Sequence, residues 1–160
     1  MKTFQIIRLT DDEKAWAASV LTDSWGSAIS VSRGRVYQAD ELPGFIAVQK
    51  GNPAGLITYC FNDKECEITT MNSLVEGKGI GSALVDAVKS IAVASKCKRL
   101  WLITTNDNTK ALRFWQKRGF RLAAIYPGAV EKSRKLKPEI PLIGDDGIPI
   151  RDEIELEMIL

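Results

Sequence analysis

One short run, "EGKGIG" (Glu76 to Gly81), constrains this chain more than any other. It places three glycines and a lysine between "SLV" and the amphipathic "SALVDAV". Such a run has to be the turn between a strand and a helix. Glycines in a helix's first turn cost about 1 kcal/mol each relative to alanine, so three of them call for a reason. One reason is a ligand. Unpaired N–H groups at a helix start, with no Cβ in the way and the positive end of the dipole behind them, hold anions. The alternative is a plain turn. Two familiar phosphate motifs fail here. A dinucleotide fingerprint starting at Gly77 would need glycine at Ser82, and four strands already precede it. A P-loop needs its lysine after the last glycine, whereas Lys78 precedes Gly79.

The rest of the chain builds outward from this turn. "FQIIRL" reads as a strand, and Thr10 and Glu13 are spaced as a capping box for a helix running to about Ser24. Residues 25–43 read as a Ser/Gly-containing stretch with a second short helix ending at Pro43. Strands are expected at Gly44–Gln49, Gly55–Phe61 and Glu65–Met71, joined by the hairpin-like "KGNPA" and "NDK". Ile80, Leu84, Val88 and Ile91 form one helical stripe. A strand follows at Arg99–Thr104, then a helix capped by Asn108 and stopped by Gly119, with Lys117 and Arg118 suiting its C-terminal dipole. Phe120–Tyr126 reads as another strand, residues 127–152 as a long irregular loop, and "EIELEMIL" as a half-buried closing strand. The order describes one mixed α/β domain spanning residues 1–160.

Composition excludes several chemistries. The 160 residues contain no histidine, which removes Ser-His and Cys-His nucleophile pairs and His-based metal sites; no metal is expected. Cys60, Cys66 and Cys97 lack CxxC spacing and read as reduced thiols. A net charge of +2 is too small to make nucleic acid the main partner. No run approaches the roughly 18 apolar residues of a membrane span, and the start lacks a signal-peptide pattern, so a cytoplasmic protein is expected.

"EGKGIGSALV" followed by "NTKALRFWQKRGF" resembles the two main motifs of the GNAT family, the GCN5-related N-acetyltransferases. The first motif, Q/R-x-x-G-x-G/A, is filled by Glu76-Gly77-Lys78-Gly79-Ile80-Gly81, with glutamate at its leading position. Asn108, Ala111, Trp115, Gly119 and Phe120 fill the second. The resemblance implies a mostly antiparallel sheet with a splayed parallel strand pair and flanking helices. It also implies acetyl-CoA as cofactor and acetyl transfer to a primary amine by direct attack. Gly77, Lys78, Gly79, Ile80, Gly81 and Ser82 would hold the pyrophosphate of coenzyme A, and the preceding strand would pair with its pantetheine arm. An ungapped match assigns that pairing to Thr69–Met71. Setting Glu67, Ile68 and Met71 on the family pattern assigns it to Asn72, Ser73 and Leu74, the match favoured here. Asn108 would face the arm while capping its helix.

Acetyl transfer needs a neutral amine, a polarised thioester carbonyl and a leaving thiolate. Glu67 and Glu65 share a strand face ahead of the splay and are the candidate bases, with a solvated sheet face as the plainer reading. The family often carries a tyrosine acid where this chain has Trp115, expected instead to pack beside the pantetheine arm. Tyr126 and Tyr59 are substitutes, with core packing as the alternative. The amine pocket is expected from Asp23–Arg35, with Trp25, Arg33 and Arg35, and from Tyr126–Glu153. In the latter, Lys132, Arg134, Lys135 and Lys137 read as a solvated face or as contacts to an acidic substrate or a cofactor phosphate. Asp145, Asp146, Asp152 and Glu153 are weaker candidates for a cationic amine. The acceptor is a small-molecule or peptide amine, and a homodimer stays open. A non-catalytic acyl-CoA binder and a protein-interaction domain using Trp16 and Trp25 are the other readings.

Overall fold

A computed structural model describes residues 3–75 and 77–160. Glu76, the leading residue of the glycine motif, lies outside the described residues. Among the described residues nine strands and four α-helices follow in chain order: β1 (Phe4–Arg8), α1 (Lys14–Trp25), β2 (Ile29–Ser32), β3 (Arg35–Gln38), β4 (Gly44–Gln49), β5 (Asn52–Asn62), β6 (Glu65–Ser73), α2 (Ile80–Ala94), β7 (Arg99–Thr105), α3 (Thr109–Lys117), β8 (Arg121–Tyr126), α4 (Ala129–Leu136) and β9 (Glu153–Ile159). Seven strands form one sheet in the order β1-β4-β5-β6-β7-β9-β8. Every pair is antiparallel except β6–β7, as the mixed-sheet expectation requires.

One face of the sheet packs Ile57, Cys66, Ile68, Leu100, Leu102 and Leu156 against the Ile80, Leu84 and Val88 stripe of α2 and against Trp115 and Phe120. The other face places Ile46 and Leu56 under Ala17, Val20 and Leu21 of α1. Thr10 and Glu13 form the expected capping box, and α1 ends at Gly26 with φ 86°.

Two expectations are corrected. Residues 25–43 are not a second helix but the β2–β3 hairpin followed by a short 3-10 turn at Ala39–Glu41. Arg33 and Gly34 both have positive φ, 51° and 78°, so "RG" supplies the two-residue turn whose twist suits a hairpin. The segment expected to be irregular contains α4, which Gly128 precedes at φ 72°. Arg134 on α4 ties down the chain between α4 and β9: its guanidinium donates to the carbonyls of Ile140, Pro141 and Ile150.

Candidate active site

The site begins where the parallel pair ends. β6 and β7 are in register only from Glu65–Arg99 to Ile68–Leu102. Beyond that point β7 stays with β9 through Thr105, while β6 stays with β5 through Ser73. A bulge at Thr58/Tyr59 inserts Thr69 into β6 at the same level. The hydroxyls of Thr69 and Thr70 both reach Thr58 Oγ1, at 2.7 and 2.5 Å, and Ser30 Oγ donates to the Thr69 carbonyl at 3.2 Å. The two strands therefore diverge around a fixed point.

Register decides which β6 amides face the gap. Leu74 N–H donates to the Ala54 carbonyl at 2.9 Å, and Asn72 lies opposite Leu56. Because antiparallel bonding alternates, Asn72 and Leu74 are turned toward β5, and the N–H groups of Met71 and Ser73 toward the gap. Met71, Ser73, Thr69 and Thr70 line a cleft of about 970 Å³ that runs through the splay. This corrects the Asn72–Leu74 assignment. Ser73 faces the cleft, but Leu74 N–H is already used and Asn72 is buried, with Oδ1 accepting from Trp25 Nε1 at 3.3 Å.

The glycine turn closes one end of the cleft. Gly77 and Gly79 have φ of 74° and 76°, and a Cβ added at either would meet no atom within 4 Å. Gly79 is the N-cap of α2 and offers no side-chain cap, so the first N–H groups of the helix face the cleft beside Ile80 and Ser82. Gly81 differs: an added Cβ would lie 3.0 Å from the Phe114 ring, so its small size lets α2 approach α3. The Ile80 side chain is core, and Lys78 is exposed and is not a wall of the cleft. Sequence reasoning missed Arg118 as a wall residue. Its Nε donates to Ser82 Oγ at 2.8 Å and its guanidinium lies 3.5 Å over the Phe114 ring, which places a cation beside the turn. Asn108 lines the cleft and caps α3 by accepting from Ala111 N–H at 3.1 Å. Trp115 is buried edge-on between Phe114 and Phe120 and also borders the cleft.

The candidate acids and bases separate clearly. Glu67 is 3% exposed beneath the β2–β3 hairpin, one residue before the last paired position of β6. Its Oε1 accepts from the Tyr37 hydroxyl at 3.0 Å, while Oε2 and the nearby Ser32 Oγ are buried without a well-aligned hydrogen bond. Burial pushes its pKa up, against the opposing pull of Ser32, Tyr37 and Arg35. Glu65 stands at the far end of the paired segment, where it binds Arg99 at 3.0 Å. Tyr126 lies on β8, with β9 between it and β7, and its hydroxyl donates to Glu155 at 3.0 Å under the Arg33 guanidinium. None of Glu65, Glu67 and Tyr126 is a wall of the cleft, but Glu67 directly precedes Ile68, which is. Tyr59 is core, stacked on Phe45.

The opposite end of the cleft is built from Trp25–Val31, α4 and the start of β9. Glu153 is buried there, its carboxylate accepting from Ser133 Oγ at 2.9 Å and from Arg33 N–H at 3.2 Å. Among the described residues no group of His, Cys, Asp and Glu could hold a metal ion, and no helix is long and apolar enough to cross a membrane.

Comparison with known proteins agrees with this geometry. The chain is 46% identical over 149 residues to the uncharacterized protein YdhI of Bacillus subtilis (strain 168), covering 90% of this chain and 93% of that protein. It is 47% identical over 133 residues to the uncharacterized YxbD of the same strain, covering 82% and 84%. In fold it is similar to an IAA acetyltransferase from Bacillus cereus, with TM-score 0.76 and 24% identity over 98% of this chain and 99% of that one. It is also similar to a GNAT family acetyltransferase from Elizabethkingia anophelis with acetyl-CoA bound, with TM-score 0.71 and 22% identity over the whole of both chains. The family model for acetyltransferases of the GNAT family matches residues 9–120, and the chain belongs to that family.

Proposed function

We propose that the protein transfers an acetyl group from acetyl-CoA to a primary amine by direct attack. One observation carries the reading: β6 leaves β7 after Ile68–Leu102, beside a glycine turn whose N–H groups are open. A structural neighbour holds acetyl-CoA, which supports the same ligand here. Bound acetyl-CoA supplies an acetyl thioester whose thiolate, with a pKa near about 8.5, leaves readily near neutral pH.

The chain's own residues then have distinct tasks. Gly77, Gly79 and the first N–H groups of α2 hold the pyrophosphate, with Arg118 adding positive charge. Met71 and Ser73 pair with the pantetheine arm as a missing β-neighbour would, and Asn108 and Trp115 line its path. A β6 N–H at the splay donates to the thioester carbonyl oxygen as charge develops there. Glu67 takes the ammonium proton, directly or through a water, since burial gives it a higher proton affinity than a surface carboxylate. Burial also pushes up all three cysteine thiols, Cys66 to about 12, which disfavours an acyl-cysteine route.

The test is free-thiol release from acetyl-CoA across an amine panel. Amine-dependent release that tracks N-acetyl product supports the reading. Tight coenzyme A binding with no release on any amine contradicts it and leaves a non-catalytic binder.

A further inference from the structure

Lys137 stands at the C-terminal end of α4, and it is only 8% exposed. Its Nζ donates to the Ile29 carbonyl at 2.7 Å. Among the described residues it takes part in no ion pair. Burial lowers its pKa, and Glu139, an exposed residue beyond ion-pair distance, offsets this only in part. A buried ammonium without a counter-ion is costly, and a methionine would fill the same space without that cost.

Its location gives the charge a use. Lys137 lines the end of the cleft formed by Ile29, Ser30, Ser133 and Glu153. Ile29 adjoins Ser30, whose hydroxyl binds the Thr69 carbonyl at the splay, so the ammonium belongs to the acceptor end. Glu153 and Glu139 line the same end, but neither is within ion-pair distance of Lys137, and the Glu153 oxygens accept from Ser133 and Arg33. Arg134 is committed to three carbonyls and to Glu131. One uncommitted positive charge suits a single carboxylate.

We infer that Lys137 recognises a carboxylate on the acceptor, and that the substrate class is an amine bearing a carboxylate, as in an amino acid. This rests on the acetyltransferase reading. The competing role for Lys137 is a latch between α4 and the hairpin, which would affect all acceptors alike.

Thiol release is measured with acetyl-CoA and matched pairs, each an L-amino acid and its carboxamide, for wild type, Lys137→Met and Lys137→Arg. Comparing each acceptor across the variants cancels the difference in amine basicity within a pair. Lys137→Met is expected to lower kcat/KM for the amino acid by about tenfold or more, through KM, and to change the carboxamide by less than about twofold. Lys137→Arg is expected to keep the preference. Equal loss on both members, or no loss on either, overturns the inference. Should Lys137→Met not fold, Lys137→Gln makes the same comparison, since its amide can still donate to Ile29. If coenzyme A binds but no pair is acetylated, the catalytic reading fails by itself. The thermal shift of the coenzyme A complex by the same amino acids then decides: a shift in wild type that is absent in Lys137→Met supports carboxylate recognition, and no shift in wild type overturns it.

Discussion

Tyr37 on the hairpin donates its hydroxyl to Glu67 Oε1 on the sheet across 3.0 Å, leaving the second carboxylate oxygen buried and unmatched. The pairing fixes the carboxylate beside the splay while keeping one oxygen for a proton. Glu67→Gln should therefore lower kcat by about a hundredfold, with coenzyme A affinity retained. The acidic limb of the wild-type pH–rate profile should lie above the ordinary carboxylate range, because burial raises this pKa, and should flatten in the variant. Glu65→Gln, at the Arg99 end of the strand, should leave turnover near wild type. Steady-state profiles of both variants check this, and wild-type turnover by Glu67→Gln at all pH values would direct attention to Glu153.

The same carboxyl has a signature in stability. The folded protein holds the Glu67 proton more tightly than the unfolded chain, whose value is the ordinary 4.5. As pH rises, the unfolded state gives up its proton first, so this residue's contribution to stability is full below 4.5 and falls as pH climbs through the raised native value. Glutamine accepts from Tyr37 without carrying a charge. The Tm of Glu67→Gln relative to wild type should thus increase between about pH 4 and pH 8. Thermal melts across that range measure it, and a difference that shrinks with pH contradicts the assignment.

Gly79 and Gly81 should fail differently. Alanine at Gly79 meets no neighbour but has to adopt φ 76°, a strain of about 1–2 kcal/mol, and it adds a methyl group at a residue that lines the cleft. Gly79→Ala should fold and lose coenzyme A affinity. Alanine at Gly81 presses on the Phe114 ring at 3.0 Å, so Gly81→Ala should destabilise the α2–α3 contact, with the binding defect following from that. Melting and titration calorimetry on the two variants separate the effects.

Trp115 is 5% exposed, with ring centroids 4.9 Å from Phe114 and 5.1 Å from Phe120. Trp115→Ala should cost about 3–5 kcal/mol, a Tm loss on the order of 10 °C for a chain of this size. Trp115→Phe should weaken coenzyme A binding modestly and keep the form of the pH–rate profile. Loss of turnover in a folded, binding-competent Trp115→Phe would assign the indole N–H a direct role.

The motifs and the sheet were legible because local signals carry them: the α2 stripe, the Asn108 cap and the alternation of β9. The hairpin at Arg33-Gly34 was readable in principle, since Ile29, Val31 and Val36 alternate about an "RG" turn, but the Ser/Gly composition masked it. The helix α4 was obscured by its charge and by the Pro/Gly-rich segment that Arg134 holds from a distance. Which β6 amides face the cleft depends on one bulge at Thr69, and bulges leave no period in a sequence. Arg118 looked like a helix-end charge and Lys137 like part of a loop's basic run, and only tertiary contacts turn them into walls of the cleft.

The central claim is that acetyl-CoA pairs with the free edge of β6. Residue-resolved amide hydrogen exchange, with and without acetyl-CoA, tests it most directly. The account predicts that ligand-induced slowing is largest at Met71 and Ser73 and at the first amides of α2, and small at Asn72 and Leu74, which are already turned toward β5. Slowing that is equal at all four β6 positions, or absent from Met71 and Ser73 while ligand is bound, would contradict it.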